Sequence, residues 1–143
     1  MTNERKIRIG ITQGDTNGIG YEVILKTFSN PAMLELCTPV IYGSSKIMSY
    51  HRKAVGVQAF QTNNVKSVDY LKENLPNVVE VCSDEVKVEL GKADKQAGKA
   101  AFQALEAAIT DLKKGKIDAI VTAPISKENI QSAEFNFPGH TEY

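Results

Sequence analysis

The stretch KIRIGITQGDTNGIGYEVILKTF, residues 6–28, decides the fold. Its first part alternates Ile7, Ile9 and Ile11 with polar or small residues, the period-two pattern of a strand with one buried face. Gly14, Gly18 and Gly20 then punctuate a turn. After it, Tyr21, Ile24, Leu25 and Phe28 recur at three- and four-residue spacing, which predicts a helix with one apolar stripe. Asn30-Pro31 ends that helix, because a residue before proline is pushed out of the helical region.

The same unit recurs downstream. The apolar run PVIY at 39–42, closed by Gly43, predicts a second strand, and Ser44 or Ser45 predicts the cap of a helix running to about residue 54. Residues 57–92 carry short β-prone pieces around 57–60 and 78–82 between Asn, Asp, Lys and Gly, and read as a β-rich excursion. From Asp94, taken as an N-cap, Ala97, Ala101, Leu105, Ala108 and Leu112 form one apolar stripe. Lys113 and Lys114 suit the negative end of that helix, and Gly115 suits a left-handed C′ position. IDAIVT at 117–122 then predicts a buried strand. Strand, helix, strand, helix and a final helix–strand pair imply an α/β fold, a layered and mostly parallel sheet with right-handed crossovers, over residues 1–143 as a single unit.

Composition narrows the class. With 42% apolar content, 143 residues bury one core. The 17 basic and 17 acidic side chains cancel, leaving no electrostatic footprint for nucleic acid or an anionic membrane. No apolar run approaches the ~20 residues of a membrane span, and MTNERKIR has no apolar segment of signal-peptide type, so the chain reads as cytoplasmic. Cys37 and Cys82 lie far apart without CxxC spacing and are expected to be buried or idle thiols.

Chemistry in such a sheet gathers beyond the carboxyl ends of the strands. The turn 14–20 has GxxxGxG spacing, neither a dinucleotide fingerprint nor a P-loop, and is either a ligand cradle or simply a tight turn. Asp15 and Glu22 argue against phosphate there, because a carboxylate already satisfies the positive end of the helix dipole. Asp15 is a candidate site-lining residue that contacts a hydroxyl, an amine or a neighbouring subunit, or else closes an Asx turn on its own backbone. In APISK, 123–127, Lys127 is a candidate anion contact, with a solvated helix lysine as the commoner alternative. His51, among the polar and basic neighbours of SYHRK, is assigned to the surface. His140 and Thr141, in GHTEY at 139–143, set an imidazole beside a hydroxyl, suited to a polyhydroxylated or carboxylated substrate or else a satisfied structural pair.

Together these segments resemble the 4-hydroxythreonine-4-phosphate dehydrogenase family of pyridoxal phosphate biosynthesis. The resemblance rests on a GDPxGIGPE-like turn at 14–22, Tyr42-Gly43 closing a strand, a helix opening around Gly98, TxPxxK at 122–127 and GHTE at 139–142. Thr16 and Tyr21 stand where that turn usually has proline, which implies a less rigid backbone. The resemblance implies an isocitrate/isopropylmalate-dehydrogenase-like fold, here incomplete: an N-terminal fragment of a longer two-domain, homodimeric enzyme. It implies NAD-dependent oxidation of a small phosphorylated hydroxy amino acid, 4-phosphooxy-L-threonine, followed by decarboxylation to 3-amino-1-hydroxyacetone phosphate. A divalent metal (zinc, magnesium or cobalt) assists, held by three histidines that lie after GHTE. His140 and Thr141 are the implied substrate contacts; no metal ligand is expected in this chain, and these residues alone are expected to be inactive. Alternatives are a related dehydrogenase acting on another phosphorylated hydroxy acid or a dihydrodiol, or a non-catalytic binding module.

Overall fold

A computed structural model describes residues 5–57, 60–81, 88 and 95–123. Among the described residues five strands form one sheet in the order β3-β4-β2-β1-β5, with β1 at Arg8–Thr12, β2 at Thr38–Gly43, β3 at Asn63–Val65, β4 at Asn77–Glu80 and β5 at Ala119–Thr122. Every pairing is parallel; Ile11 lies opposite Ile41 on one side and Val121 on the other. The helices are α1 at Gly20–Phe28, α2 at Pro31–Leu36, α3 at Ser45–Val55 and α4 at Lys95–Lys113. The α/β class with a mostly parallel sheet is thus as the sequence implies.

Alternation along β1, β2 and β4 sorts the core into two layers. Ile11, Ile41 and Val78 meet Tyr21, Ile24, Leu25 and Phe28 of α1 and Ile47 and Met48 of α3. Val40, Tyr42 and Val79 turn the other way, onto Ala104 and Ala108 of α4 and onto Ile117. The alanine stripe lets α4 lie close on the sheet, and Ala97, Ala100, Ala101 and Leu105 are buried with it. Leu112, expected on the stripe, is 38% exposed, since the last turn runs past the sheet. Gly115 takes the expected left-handed conformation (φ 74°), with its N–H on Leu112 O and that of Lys116 on Asp111 O. Asp94, the expected cap of α4, lies outside the described residues.

Three elements differ from expectation. Asn30-Pro31 ends α1 but also starts α2: the Asn30 side chain accepts from Ala32 N–H at 3.0 Å and Pro31 sits in the first turn. That helix buries no residue, so it carried no apolar period to read. In the excursion, β4 falls where 78–82 predicted it, but residues 57 and 60 lie outside any strand and the partner strand is the polar β3. The last strand is not buried: among the described residues β5 pairs with β1 alone, and Val121 is 54% exposed.

One polar side chain organises the amino end of the sheet. Asn77, fully buried, donates to Pro39 O, Lys72 O and Leu75 O and accepts from Lys72 N–H and Asn63 Nδ2. It closes the loop between β3 and β4 with its hydrogen-bonding capacity filled.

Candidate functional site

The carboxyl ends of β1, β2 and β5 converge on the glycine turn. Gly20, the first residue of α1, packs so closely on the end of β1 that a Cβ there would stand 2.5 Å from Gln13 O and 3.1 Å from Ala123 Cβ. Only glycine lets the helix start there. Ala123, the first residue of the APISK loop, donates its N–H to Thr12 O at 3.3 Å, so the second candidate loop leaves the sheet beside the first.

Beneath the turn lies a chain of buried polar contacts. The Tyr21 hydroxyl donates to Gln13 Oε1 at 2.5 Å and accepts the Ser44 backbone N–H at 3.0 Å. Gln13 Nε2 in turn donates to Ala100 O of α4 at 3.1 Å. Gly43 is glycine for the same reason as Gly20, since a Cβ there would collide with the Tyr21 hydroxyl and press on Gln13. Thr12, Gln13, Thr16, Asn17 and Ser44 are all buried here, and the hydroxyls of Thr12 and Thr16 have no hydrogen-bond partner among the described residues.

His51 belongs to this cluster, not to the surface where its neighbours in sequence placed it. It is 2% exposed, stacks on Tyr21 at 5.3 Å between ring centroids, and has Nε2 2.7 Å from Thr16 O. A carbonyl only accepts, so Nε2 carries the proton. Burial lowers the His51 pKa below the ordinary imidazole value, against the opposing pull of the Thr16 carbonyl and the Asp15 and Glu22 carboxylates, and the ring is neutral at physiological pH. The physical reason for the correction is the helix period: His51 lies one turn beyond Ile47, on the inward face of α3.

Asp15 takes its local role. Its Oδ1 accepts Asn17 N–H at 3.0 Å and its carbonyl accepts Gly18 N–H at 3.0 Å, an Asx turn closed by a β-turn. Glu22 pairs with Lys26 at 2.9 Å on the outer face of α1. A third carboxylate, Glu80 at the end of β4, reaches Ser45 N–H at 3.0 Å and Ser45 Oγ at 2.5 Å. The N-terminus of α3 is therefore already served by an anion of the chain itself. On the opposite face, burial and then the Asp111 carboxylate, 2.7 Å away, push the Tyr42 phenol far above its ordinary pKa and keep it a neutral donor. Cys37 is partly buried, and burial raises its thiol, in keeping with an idle cysteine; Cys82 lies outside the described residues.

Lys127, His140 and Thr141 also lie outside the described residues. Ala123, four residues before Lys127 in the sequence, sits against Gly20 of the glycine turn. Sequence reasoning missed Gln13, Tyr21 and His51 as site-forming residues. By its spacing Tyr21 is one apolar position of α1, and nothing in that spacing signals that its hydroxyl crosses to β2. The described residues do not fit a divalent metal: His51 is their sole histidine and is committed to Thr16 O, and no group of three His, Cys, Asp or Glu side chains stands together among them. Nor does any described loop carry a dinucleotide fingerprint.

The chain is 63% identical over 140 residues to the 4-hydroxythreonine-4-phosphate dehydrogenase of Bacteroides thetaiotaomicron, covering 98% of this chain and 38% of that protein. It is 32% identical over 145 residues to a putative D-threonate 4-phosphate dehydrogenase of Clostridium botulinum, covering 43% of it. Among solved structures, a 4-hydroxythreonine-4-phosphate dehydrogenase from Burkholderia phymatum superposes with a TM-score of 0.85 at 29% identity, over 97% of this chain and 42% of that one. A terephthalate 1,2-cis-dihydrodiol dehydrogenase from Burkholderia xenovorans shares the fold, with a TM-score of 0.65 at 23% identity. The chain thus spans about two fifths of the relatives it matches. With residues 35–143 matching the family model for pyridoxal phosphate biosynthetic protein PdxA, the chain belongs to the PdxA family.

Proposed function

We propose that the full-length protein is an NAD-dependent 4-hydroxythreonine-4-phosphate dehydrogenase. It oxidises the secondary alcohol of 4-phosphooxy-L-threonine and releases carbon dioxide to give 3-amino-1-hydroxyacetone phosphate, in the cytoplasm, as a homodimer. The observation that carries this reading is the 63% identity to the Bacteroides thetaiotaomicron enzyme of that name, against 32% to the putative D-threonate 4-phosphate dehydrogenases. The absence of any described helix long and apolar enough to cross a membrane is compatible with it.

In this reading residues 1–143 form an N-terminal α/β unit whose strand ends build one wall of the cleft. His140 and Thr141 bind the substrate through imidazole and hydroxyl, with Lys127 and Asp15 lining the same wall. A divalent metal supplies Lewis-acid stabilisation of negative charge on the substrate oxygen when bound, and its ligands belong to the part of the relatives that this chain does not span. The described residues supply the platform: Gln13, Tyr21 and Ser44 fix the strand ends, and Thr12 and Thr16 line them with buried hydroxyls.

The test is NADH formation by the full-length protein with NAD, zinc or magnesium and 4-phosphooxy-L-threonine, run beside D-threonate 4-phosphate and a cis-dihydrodiol. Turnover highest on the first is expected, and residues 1–143 alone should give none. Preference for D-threonate 4-phosphate, the substrate in the name of the more distant relatives, would replace the reading with the second dehydrogenase activity. Full-length protein silent on all three would favour a non-catalytic module.

A further inference from the structure

Three elements meet at one hydroxyl. The Tyr21 side chain starts on α1, and its Oη takes the backbone N–H of Ser44 at the end of β2 while donating to Gln13 at the end of β1. Gln13 carries the link on to Ala100 of α4, on the opposite face of the sheet. The ring of the same tyrosine stacks on His51 of α3, which holds the carbonyl of Thr16 at 2.7 Å, inside the turn between β1 and α1. Gly43 has given up its side chain to make room for the hydroxyl. A buried tyrosine whose ring only filled the core would not need a backbone N–H, a side-chain amide and a glycine arranged about its oxygen.

We propose that Tyr21 is a positioning residue: through its hydroxyl and stacked ring it holds the glycine turn 13–19 against the ends of β1 and β2, and so sets the affinity of the cleft over those strand ends for its ligands. This rests on the functional reading above for the identity of the ligands, but not for the brace itself. Three contacts from one side chain, the third passed on through His51 to Thr16 O, fix the turn from below, so the loop is set before a ligand arrives and its ordering cost is not taken from binding. Tyr21 touches neither substrate nor cofactor in this account; it acts through Gln13, Ser44 and Thr16.

The experiment uses the full-length protein with Tyr21→Phe, which keeps the stacked ring and removes only the oxygen, and with Gln13→Met, which removes the amide that receives it. Amide hydrogen exchange is read for peptides covering 13–20 and 43–45, against β4 as the reference for global opening. Tyr21→Phe removes both hydrogen bonds of the hydroxyl and is expected to speed exchange of the two site peptides roughly tenfold or more, and to leave β4 unchanged. In steady-state kinetics KM should rise about threefold to tenfold, by more than kcat falls, and the double variant should add little to either single one, because both cut the same link. Asn77→Ala, at the amino end of the sheet, is the control: it should lower the melting temperature without raising KM. If Tyr21→Phe instead lowers the melting temperature while exchange at 13–20 and KM stay at parent values, the tyrosine only fills space and the proposal is wrong. Parent protein that oxidises nothing would refute the functional reading, and unchanged exchange at 13–20 would then still refute the brace.

Discussion

Replacing Gly43 by alanine is the sharpest test of the packing beneath the glycine turn. The φ of Gly43 lies outside the left-handed region, so an alanine there meets no backbone strain, and the conformational entropy saved in the unfolded chain favours it by about 0.5–1 kcal/mol. Against this gain, its Cβ lands on the Tyr21 hydroxyl, 3.0 Å from Gln13 Oε1 and 3.2 Å from Gln13 Cβ. Overpacking of that kind costs about 1–3 kcal/mol. Driving the hydroxyl away also leaves Ser44 N–H and Gln13 Oε1 buried without this partner, at about 1–3 kcal/mol for each group left unsatisfied. The net loss should be about 2–8 kcal/mol, a large share of the ~5–15 kcal/mol that holds a typical domain folded. In a Tyr21→Phe background the clashing oxygen is gone and both hydrogen bonds are already lost, so Gly43→Ala should cost only about 1–2 kcal/mol more. Urea unfolding of the full-length protein and its three variants completes the cycle. Equal costs of Gly43→Ala in the two backgrounds would show that the glycine does not answer to the tyrosine oxygen.

Further consequences follow from single residues. His51 has a folded pKa below its unfolded value of about 6.5, so on acidification the unfolded chain takes up the proton first; the stability it contributes is complete above about pH 6.5 and is lost as pH falls toward the folded value. His51→Gln, which keeps an N–H donor for Thr16 O, should flatten the dependence of the melting temperature on pH between about 5 and 8, with Asp15 and Glu22 in place as the charged groups acting on the ring. Asn77→Ala removes three donations and two acceptances from a fully buried position and should cost about 3–4 kcal/mol in urea unfolding. Glu80→Gln keeps the shape but not the charge at the N-terminus of α3 and should cost about 0.5–1 kcal/mol, a loss that shrinks in high salt.

The parts of the fold that could be read from the sequence are those where one period governs a long run. Ile9 and Ile11 alternate because β1 lies between two strands with its faces under helices, and Ala97, Ala101, Leu105 and Ala108 repeat because α4 lies along the sheet. Caps were legible for the same local reason: Ser44 accepts from Ile47 N–H and Gly115 closes α4, each within one turn of chain. The failures are tertiary. Strand β5 has the composition of a buried one, and its exposure follows from its place beyond β1, where no other described strand pairs with it. His51 has a basic neighbour on one side and a tyrosine on the other, and its burial depends on Tyr21, thirty residues earlier. In the glycine turn, Thr16 and Tyr21 implied a looser backbone than proline gives, but spacing does not show that the carbonyl of one and the hydroxyl of the other are both held from other elements. Of the named site residues, Asp15 shows its Asx turn, while Lys127, His140 and Thr141 fall outside the described residues.

The distribution of polarity along the strands is itself an argument about where function lies. The middle of the sheet is apolar through Ile11, Val40, Ile41, Val78 and Val79. At the amino end, buried Asn77 fills its hydrogen bonds on the loop before β4 and on the neighbouring strands β2 and β3, and needs nothing more to be stable. The carboxyl end is different: Thr12, Gln13, Thr16, Asn17, Ser44 and His51 are buried within a short distance of one another, and two of their hydroxyls have no partner among the described residues. Removing a hydroxyl from water without compensation costs about 1–3 kcal/mol, and a valine at either threonine position would keep the volume without that cost. Stability alone gives no reason to gather such groups at one end of the sheet. A cleft whose floor must be preorganised and hydrogen-bonding does, and that end is where a parallel α/β sheet presents its ligands.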